Sequence, residues 1–359
     1  MKRRQFIGAA GLGALGAATG ARAQAAPQIK WRLTSSFQKS LDLIYGGAET
    51  FARSVTQATG GAFQIDVFPS GEITPGLRAL DAVQAGEVEC AHTSLDYFWN
   101  RDPSFALAAA VPFGMNARQQ NAWLATGGGE RLNAILKPSN VIAFPAGNTG
   151  CQMGGWFRGE VKSVADLTGL KIRIGGFAGK VWQRLGAAPQ AIARDEIRPA
   201  LESGALDAAV WIAPRDDEKL DLKGPAPNYY YPGFWAGGAA FHLIVNLDKW
   251  NALPDAYKAV VIASAALANG DMLARYDAGN PPALKRLALS GATLRPFPQD
   301  VLEAAYKTTG DLMADLSDGD AAFKVLADDF NAFRRDEYLW WQVGEYPFDN
   351  FMIRQRGRG

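Results

Sequence analysis

The sequence predicts an α/β protein built from two lobes, and three observations support this. The chain has 359 residues, more than the roughly 250–300 at which a single hydrophobic core stops growing. Its 48% hydrophobic and 20% charged residues are ordinary for a globular protein. Segments that alternate like strands repeatedly precede segments with helical spacing. This order is typical of parallel sheets, which bind ligands in crevices at the carboxyl ends of their strands.

Residues 1–23 have the features of an export signal of the twin-arginine type. A basic start, Lys2 to Arg4, precedes an apolar stretch, and Ala-Arg-Ala at 21–23 forms a small-x-small cleavage site. The apolar stretch is short and rich in Gly and Ala for a membrane span. We therefore predict an exported mature chain.

Removal of this signal makes the chain slightly acidic. Lys+Arg falls from 37 to 33 while Asp+Glu stays at 36, so the net charge changes from +1 to about −3. Such a charge does not indicate a nucleic-acid surface. His92 and His242 lie far apart in apolar segments, which favours core histidines over metal ligands. Cys90 and Cys151 also lie in apolar segments, which predicts two buried free thiols.

The first half of the mature chain alternates strands and helices. Residues 28–37 have the pattern of a strand that ends in a Ser-rich loop. Residues 40–61 carry helical spacing up to a Gly pair, and residues 63–71 form a second strand. Residues 76–94 are predicted as helix, turn and strand.

The same order returns in the second half. A strand is predicted over Leu170–Ile174, then a Gly-rich loop and a helix near Lys180–Leu185. Residues 197–214 again have the pattern of helix, turn and strand. Residues 246–287 are helix-rich, with two consecutive prolines expected as punctuation, and residues 320–346 carry apolar residues at helical spacing.

Arg173 is the candidate anchor for an anion. It lies near the end of a predicted buried strand, where an arginine is unfavourable unless it is paired. Its planar guanidinium matches a carboxylate through two parallel hydrogen bonds. Glycines at 175, 176 and 179 let the N–H groups of the next helix approach an anion. The alternative is an internal pair with an Asp or Glu.

Neutral amides and aromatic rings supply further candidates for the same crevice. Asn148 and Gln152 lie in a Gly-rich run, where amides orient oxygens without adding charge. They could instead satisfy the backbone of a turn. Tyr97, Trp211 and Trp235 lie beside turn residues and could wall a pocket, or simply pack in the core.

Two charged residues near these aromatics have several possible roles. Arg215 could hold a second oxygen or a second carboxylate of a ligand. It could equally pair at the surface with one of the acids at positions 216–218. Asp96 could accept a hydrogen bond from a ligand hydroxyl or amino group, or form a turn.

Several longer stretches carry a resemblance to a known family. They are "WRLTSSFQKSLD", "AAAVPFG", "GNTGCQMGGWFR", "GLKIRIGGFAGKVWQRLGAAPQ" and "YYYPGFWAGG". Together they resemble the periplasmic solute receptors of TRAP transporters, most closely the subgroup that binds 2-oxo acids such as pyruvate. The resemblance covers about residues 29–350 in collinear order.

The resemblance implies a two-lobe periplasmic binding protein fold with a hinge that closes around a small organic acid. It also implies a location in the periplasm and delivery of the acid to the TRAP membrane permease. The chain would then be a receptor and not an enzyme. An exported enzyme acting on a small carboxylate is the alternative, but it would need a nucleophile–base pair or a cofactor motif.

Carried over by position, the resemblance also assigns residue roles. Arg173 matches the carboxylate-binding arginine. Gln152 matches a glutamine near the ligand and its bound cation, and Trp211 matches a tryptophan of the same site. We expect Tyr97 and Asn148 to help orient the rest of the acid.

The match fails where the oxo-acid subgroup coordinates a cation. Val210 stands in place of a cation-binding glutamate, and Ala236 stands where a further acid is expected. Hard cations need oxygen donors, so we expect no cofactor and no bridging cation. Arg215 is then the hypothetical substitute for the cation's positive charge.

The resemblance also suggests the boundaries of the lobes. We expect lobe I to comprise residues 29–150 and about 240–280. Lobe II comprises residues 151–239 and about 281–345, including a long C-terminal helical region. That region either braces the hinge or forms a homodimer, and the sequence does not choose between them.

Overall fold

The computed structural model describes residues 27–356. The predicted export signal lies outside the described residues. The strands are β1 (Ile29–Ser35), β2 (Phe63–Phe68), β3 (Cys90–Thr93), β4 (Val141–Asn148), β5 (Gly155–Phe157), β6 (Lys171–Arg173), β7 (Ala188–Gln190), β8 (Ala208–Ala209), β9 (Asn228–Tyr231), β10 (Ala240–Asn246) and β11 (Thr293–Pro296).

The α-helices occupy the intervening segments and the C-terminal part of the chain. They are α1 (Asp42–Ala58), α2 (Ala79–Gln84), α3 (Ser104–Ala109), α4 (Ala117–Trp123), α5 (Gly129–Leu136), α6 (Gly176–Arg184), α7 (Ile197–Ser203), α8 (Pro214–Asp217), α9 (Leu247–Asn251), α10 (Asp255–Leu289), α11 (Gln299–Gly319), α12 (Ala321–Val343) and α13 (Glu345–Arg356). No helix within residues 27–356 combines the length and apolarity needed to cross a bilayer.

The strands form two sheets, which confirms the predicted two-lobe α/β architecture. The first sheet has the order β2-β1-β3-β10-β4, and β1 runs parallel to both of its neighbours. The second has the order β11-β9-β5-β8-β6-β7, and β6 runs parallel to both β7 and β8. The chain crosses between the sheets from β4 to β5, from β9 to β10, and from β10 to β11. These crossings are the candidate hinge segments.

Helix α10 connects the two lobes. It packs against α1 and β4 of the first lobe and against α8 of the second. The helix continues through Pro281 and Pro282, so the expectation that these prolines interrupt it is wrong. An interior proline removes an N–H donor and crowds the carbonyl group one turn earlier, and the contacts of α10 with both lobes stabilise the helix against this cost. The predicted lobe boundary near residue 280 therefore falls inside a helix.

The cysteines differ from each other in exposure. Both are free thiols, but Cys90 is buried whereas Cys151 is exposed. The prediction of burial is therefore wrong for Cys151, which lies in the connection between β4 and β5. A short apolar run does not distinguish a strand interior from a cleft-lining segment.

Both histidines are buried in the first sheet without a charged partner. Nε2 of His92 lies 3.3 Å from the carbonyl oxygen of Ala146, whereas neither ring nitrogen of His242 has a hydrogen-bond partner in the described structure. Burial lowers the pKa of His92 to about 4 and that of His242 to about 3. Both rings are therefore neutral at neutral pH.

Replacing His242 by leucine should flatten the loss of stability in acid. The depressed pKa of the folded state means that the stability contributed by His242 is present above pH 6.5 and is lost as the pH falls toward 3. Between pH 7 and 4.5 the unfolding free energy of the variant should fall by about 2 kcal/mol less than that of the wild type. Urea unfolding at several pH values measures this difference, and parallel pH profiles would contradict it.

Candidate functional site

The second sheet brings Arg173 and Trp211 to the same edge. Arg173 is the last residue of β6 and is aligned with Ala209, the last residue of the parallel strand β8. Trp211 follows β8 by two residues. Because the carboxyl ends of parallel strands meet at one edge of a sheet, both side chains leave the sheet into the same crevice.

Arg173 carries a desolvated charge with no acidic partner. Its Nη1 donates to the carbonyl oxygen of Val210 at 2.9 Å, and its Nε donates to that of Ile192 at 3.4 Å. The guanidinium carbon lies 4.9 Å from the centre of the Trp211 ring. No carboxylate oxygen of residues 27–356 lies within 4.0 Å of a guanidinium nitrogen of Arg173. The alternative of an internal ion pair is therefore not seen among the described residues. Burial without such a partner lowers the pKa of Arg173.

Tyr97 approaches this charge from the first lobe. It lies in the 3₁₀ turn Leu95–Phe98 that follows β3. Its side chain is 43% exposed, yet desolvation raises the pKa of its hydroxyl, with nearby Arg173 opposing that rise. Part of the Tyr97 side chain is exposed while its hydroxyl is desolvated. This combination indicates that Tyr97 borders a cleft between the lobes.

The two amides each use one of their two polar atoms within the protein. Asn148 ends β4 and is fully buried; its Oδ1 accepts from the backbone N–H of Gly150 at 2.8 Å, whereas its Nδ2 has no acceptor in the described structure. Gln152 donates through Nε2 to Oγ1 of Thr149 at 3.3 Å. Its Oε1 has no partner among the described residues. Contacts within the turn therefore account for one polar atom of each amide, and the other polar atom has no partner in the described structure.

The two tryptophans have different surroundings. The indole Nε1 of Trp211 is buried without an acceptor among the described residues, and its ring packs on Arg173. Trp235 packs among core aromatics, with ring centres 6.2 Å from Trp182 and 5.0 Å from Phe234. The structure groups Trp211 with Arg173, whereas it places Trp235 in the core of the second lobe.

Arg215 is directed away from this group. It lies in α8, where Nη2 is 3.2 Å from Oδ2 of Asp42 and Nη1 is 3.7 Å from Oε1 of Glu218. Lys219 also binds Asp42. Helix α8 begins three residues after Trp211, and its Arg215 forms ion pairs at the surface. One of its partners, Asp42, is distant in sequence and was not among the predicted ones.

Asp217 stabilises the segment that follows Trp211, and the sequence did not indicate this role. It is buried and accepts hydrogen bonds from the N–H of Ile212 at 3.0 Å, Nε1 of Trp156 at 3.2 Å and the hydroxyl of Tyr229 at 2.8 Å. The first of these fixes the residue next to Trp211. Burial raises the pKa of Asp217 to about 7. Two acids after a proline have the pattern of an exposed helix start, so no sequence signal marks this burial.

Comparison with known proteins places the chain among solute-binding proteins. The model of the bacterial extracellular solute-binding proteins of family 7 (DctP) matches residues 34–318. A monocarboxylate 2-oxoacid-binding periplasmic protein of Nostoc sp. is 48% identical over 326 residues, covering 90% of this chain and 89% of that protein. These relatives are solute receptors, which confirms the prediction that the chain is not an enzyme.

Solved structures show the same fold. A TRAP transporter solute-binding protein from Bordetella bronchiseptica is 42% identical with a TM-score of 0.89, covering 92% of this chain and 99% of that one; it is a dimer with calcium and picolinate in one site and none in the other. A second, from Colwellia psychrerythraea, is 28% identical with a TM-score of 0.87, covering 90% and 99%, and holds calcium and pyruvate.

These structures overturn one expectation from the sequence. The prediction that no cation takes part, based on Val210 and Ala236, is wrong, because similar proteins bind a cation together with the carboxylate ligand. Carboxylates are not the only ligands of hard cations, which also accept amide and main-chain carbonyl oxygens. The inference from two missing acids ignored these neutral donors.

The described residues fit a cation through neutral oxygens. No cluster of three or more His, Cys, Asp or Glu side chains suited to a metal occurs in residues 27–356. The Oε1 of Gln152, in the β4–β5 connection, accepts no hydrogen bond from the described residues. One carboxylate also borders this connection, since Oδ1 of Asp277 in α10 lies 3.6 Å from a β-carbon built on Gly150.

Proposed function

Because this chain belongs to the family 7 bacterial extracellular solute-binding proteins (DctP), we propose that it captures a small organic acid in the periplasm and delivers it to a TRAP membrane permease. The observation that carries the proposal is the guanidinium of Arg173, which is desolvated at the mouth of a crevice and lacks an acidic partner. A buried charge of this kind is stabilised when a ligand carboxylate pairs with it.

The mechanism is reversible capture between the lobes. Arg173 would hold the carboxylate, and the ring of Trp211 would cover the guanidinium face. The unpaired donors Asn148 Nδ2 and Trp211 Nε1 suit further acceptor atoms of the ligand. Tyr97 reaches the crevice from the first lobe, so its contact forms when the lobes close. Closure is then a population shift driven by contacts that exist only in the closed state.

A cation would add to this arrangement without any change in fold. Gln152 Oε1 and neighbouring main-chain oxygens would hold it, together with oxygens of the acid. When bound, the ion offsets the negative charge of the ligand. We infer that cation and acid bind best together, because the described site offers the cation no carboxylate cluster of its own.

Sheet membership supports the predicted lobes. We propose lobe I as residues 29–150 and about 240–280, and lobe II as residues 151–239 and about 281–345. Strands of the first sheet come from 29–148 and 240–246, and strands of the second from 155–231 and 293–296. The boundary in α10 lies within one rigid helix, so closure must bend the chain at the β4–β5 and β9–β10 crossings.

A thermal-shift screen tests the receptor function. The mature protein should be stabilised by one class of small carboxylic acids, screened as oxo, hydroxy, amino, aromatic and dicarboxylic acids. At 100 times its Kd, a ligand adds about 2.7 kcal/mol, which shifts the melting temperature by a few degrees. Calcium or sodium should enlarge the shift, and chelator in sodium-free buffer should reduce it.

Two results would count against this function. Stabilisation by no acid under any ionic condition would contradict the carboxylate receptor. Chemical conversion of the acid, rather than its recovery intact, would contradict a receptor that only binds. A shift that is equal with and without cations would contradict the neutral-oxygen cation site alone.

The C-terminal helices support a homodimer. Large apolar side chains at the end of α12 and along α13 are 47–74% exposed: Tyr338, Leu339, Trp340, Val343, Tyr346, Phe348, Phe351, Met352 and Ile353. An apolar surface this extensive marks an interaction site. A cavity of about 970 Å³, lined in part by Phe113, Tyr306 and Met313, lies between α11 and α12 nearby. We propose that a second copy of the chain covers this surface, as the dimeric Bordetella relative suggests.

Charge introduced on α13 should separate the copies. The double variant Phe351→Glu with Ile353→Glu should shift the mass measured by light scattering from dimer to monomer at micromolar concentration. Acid affinity should change little, because α13 packs against α12 and neither Phe351 nor Ile353 is among the contacts of Arg173. Leu289→Glu, at an 89% exposed position outside this surface, serves as the matched control. A wild-type monomer, or a variant that stays dimeric, would contradict the interface.

A further inference from the structure

Arg215 has no role in the capture described above, and its ion pair with Asp42 joins the two lobes. Arg215 lies in α8 of the second lobe, and its Nη2 is 3.2 Å from Oδ2 of Asp42. Asp42 is the first residue of α1 in the first lobe. Nζ of Lys219, in the 3₁₀ turn that follows α8, contacts Oδ1 of the same carboxylate. One carboxylate of the first lobe therefore receives two positive charges from the second.

Both positive side chains are also held by contacts other than this carboxylate. The side chain of Arg215 lies along α10, where its Cδ is 3.2 Å from a β-carbon built on Gly279. Its main-chain N–H donates to Oδ1 of Asn280 at 3.1 Å. Nζ of Lys219 lies 3.4 Å from Oδ1 of the buried Asp216. Side chains that are already ordered lose less conformational entropy when they form an ion pair.

The neighbouring acid Glu218 does not take the place of Asp42. Its Oε1 is 3.7 Å from Nη1 of Arg215, but its two carboxylate oxygens accept hydrogen bonds from Arg286 at 2.8 and 2.9 Å. Arg215 and Lys219 are four residues apart, and like charges at this spacing on a helix repel each other. Moving Asp42 away would therefore leave two neighbouring positive charges without their shared partner.

The ion pairs lie close to the proposed binding site along the chain. Ile212 and Ala213 follow Trp211 directly and precede α8. They share a buried apolar cluster with Leu41 and Ile44, which flank the start of α1. The segment that leaves the binding site therefore packs against the helix that carries the shared carboxylate.

The two lobes are in contact in this structure. The ring of Trp99, in the first lobe, packs edge-on against that of Phe177 in α6 of the second, with ring centres 5.7 Å apart. A β-carbon built on Gly176, the first residue of α6, would lie 3.7 Å from Oδ2 of Asp96 in the first lobe. The ion pairs at the start of α1 therefore belong to an arrangement in which the lobes meet.

We infer that the ion pairs of Asp42 with Arg215 and Lys219 form a latch that stabilises the closed receptor and slows release of the captured acid. Rotation of the lobes about the β4–β5 and β9–β10 crossings would move α1 relative to α8 and separate the charges. An interaction made only in the closed state shifts the population toward that state. The inference rests on the proposed function, because it concerns closure around a bound acid.

Replacing Asp42 by asparagine should weaken acid binding about threefold to tenfold, as expected for two partly exposed ion pairs. The probes are pyruvate and picolinate with calcium, which two relatives hold, and the acid with the largest thermal shift if neither binds. Calorimetry measures the affinity, and stopped-flow tryptophan fluorescence should show the loss as faster release. Asp66→Asn, which removes a charge from an exposed pair with Lys30 on the same lobe, should change neither quantity.

A double-mutant cycle separates the latch from a structural role of Asp42 at the start of α1. The variant Arg215→Gln with Lys219→Gln should lose about as much affinity as Asp42→Asn. Adding Asp42→Asn to that variant should weaken binding by less than about twofold further, because the interaction is already lost. Urea unfolding of the acid-free variants shows that each is folded.

Each alternative result has a definite meaning. Unchanged affinity of Asp42→Asn, or losses that simply add in the cycle, would overturn the latch and leave the receptor function standing. Coupling that appears in urea unfolding but not in acid affinity would show that the pairs persist when the lobes open, which also overturns the latch. Binding of no acid by the wild type would overturn the proposed function and this inference together.

Discussion

Replacing Arg173 by glutamine is expected to weaken acid binding by about thirtyfold or more without unfolding the protein. Removing one partner of a buried, hydrogen-bonded charge pair costs about 2–5 kcal/mol or more, and each 1.4 kcal/mol is about tenfold in Kd. Glutamine keeps a polar side chain of moderate length but lacks the charge and the planar fork. Calorimetry with the acid found by screening measures the loss.

The same substitution should not lower the stability of the unliganded protein. Without ligand, the guanidinium is desolvated and has only carbonyl partners, so its removal relieves an unpaired buried charge. Arg173→Lys is the matched variant, because it keeps the charge but loses the fork and the packing on Trp211; we expect an intermediate affinity. A glutamine variant that binds within threefold of the wild type would contradict the anchor role.

Replacing Asp217 by alanine is expected to lower the unfolding free energy by at least about 3 kcal/mol. Three buried donors, from Ile212, Trp156 and Tyr229, would lose their acceptor at once, and each buried unsatisfied group costs about 1–3 kcal/mol. Urea unfolding measures the change. Asp311→Ala, which breaks an exposed pair with Lys307 on α11, is the control and should cost less than about 1 kcal/mol.

The effect of Asp217→Ala should also depend on pH. The folded-state pKa of about 7 lies above the ordinary value of 3.8, so the folded protein holds the proton more tightly than the unfolded chain. The stability that this group contributes is complete below about pH 4 and is lost as the pH rises to 7. The variant should therefore lose about 2 kcal/mol more at pH 5 than at pH 8. Equal losses at both pH values would contradict the raised pKa.

Local patterns predicted the elements that carry Arg173. Alternating apolar residues and the following glycines located a strand and a helix, which the structure shows as β6 and α6. The lone arginine at the strand end was informative because burial of such a residue is unfavourable without a partner. The resemblance assigned Trp211 to the same site, and the observed pairing of β6 with β8 places it at the same edge of the sheet as Arg173.

Features that depend on tertiary contacts could not be predicted from the sequence. The strand predicted within residues 197–214 is only two residues long, and the turn into α8 directs Arg215 to Asp42. The same turn buries Asp217, although charged residues after a proline are ordinarily exposed. The prolines of α10 stay within a helix because two lobes pack against it. Each of these outcomes depends on residues far away in the chain.

The cation was misjudged for a different reason. The carboxylates expected near Trp211 are replaced by Val210 and Ala236, but their absence does not exclude a cation, which also accepts neutral oxygens. Main-chain carbonyls are present at every position and leave no sequence signal, and an amide such as Gln152 has several alternative uses. A site built from neutral oxygens is therefore difficult to recognise without the fold.

The position of the bound carboxylate relative to Arg173 shows whether this guanidinium anchors the acid. A crystal structure of the mature protein with its acid and calcium should show two oxygens of the ligand within hydrogen-bond distance of the guanidinium. The rings of Trp211 and Tyr97 should border the acid, and Gln152 Oε1 should contact the ion. An acid bound elsewhere, or an Arg173 paired with a protein carboxylate in the liganded state, would show that Arg173 is not the anchor.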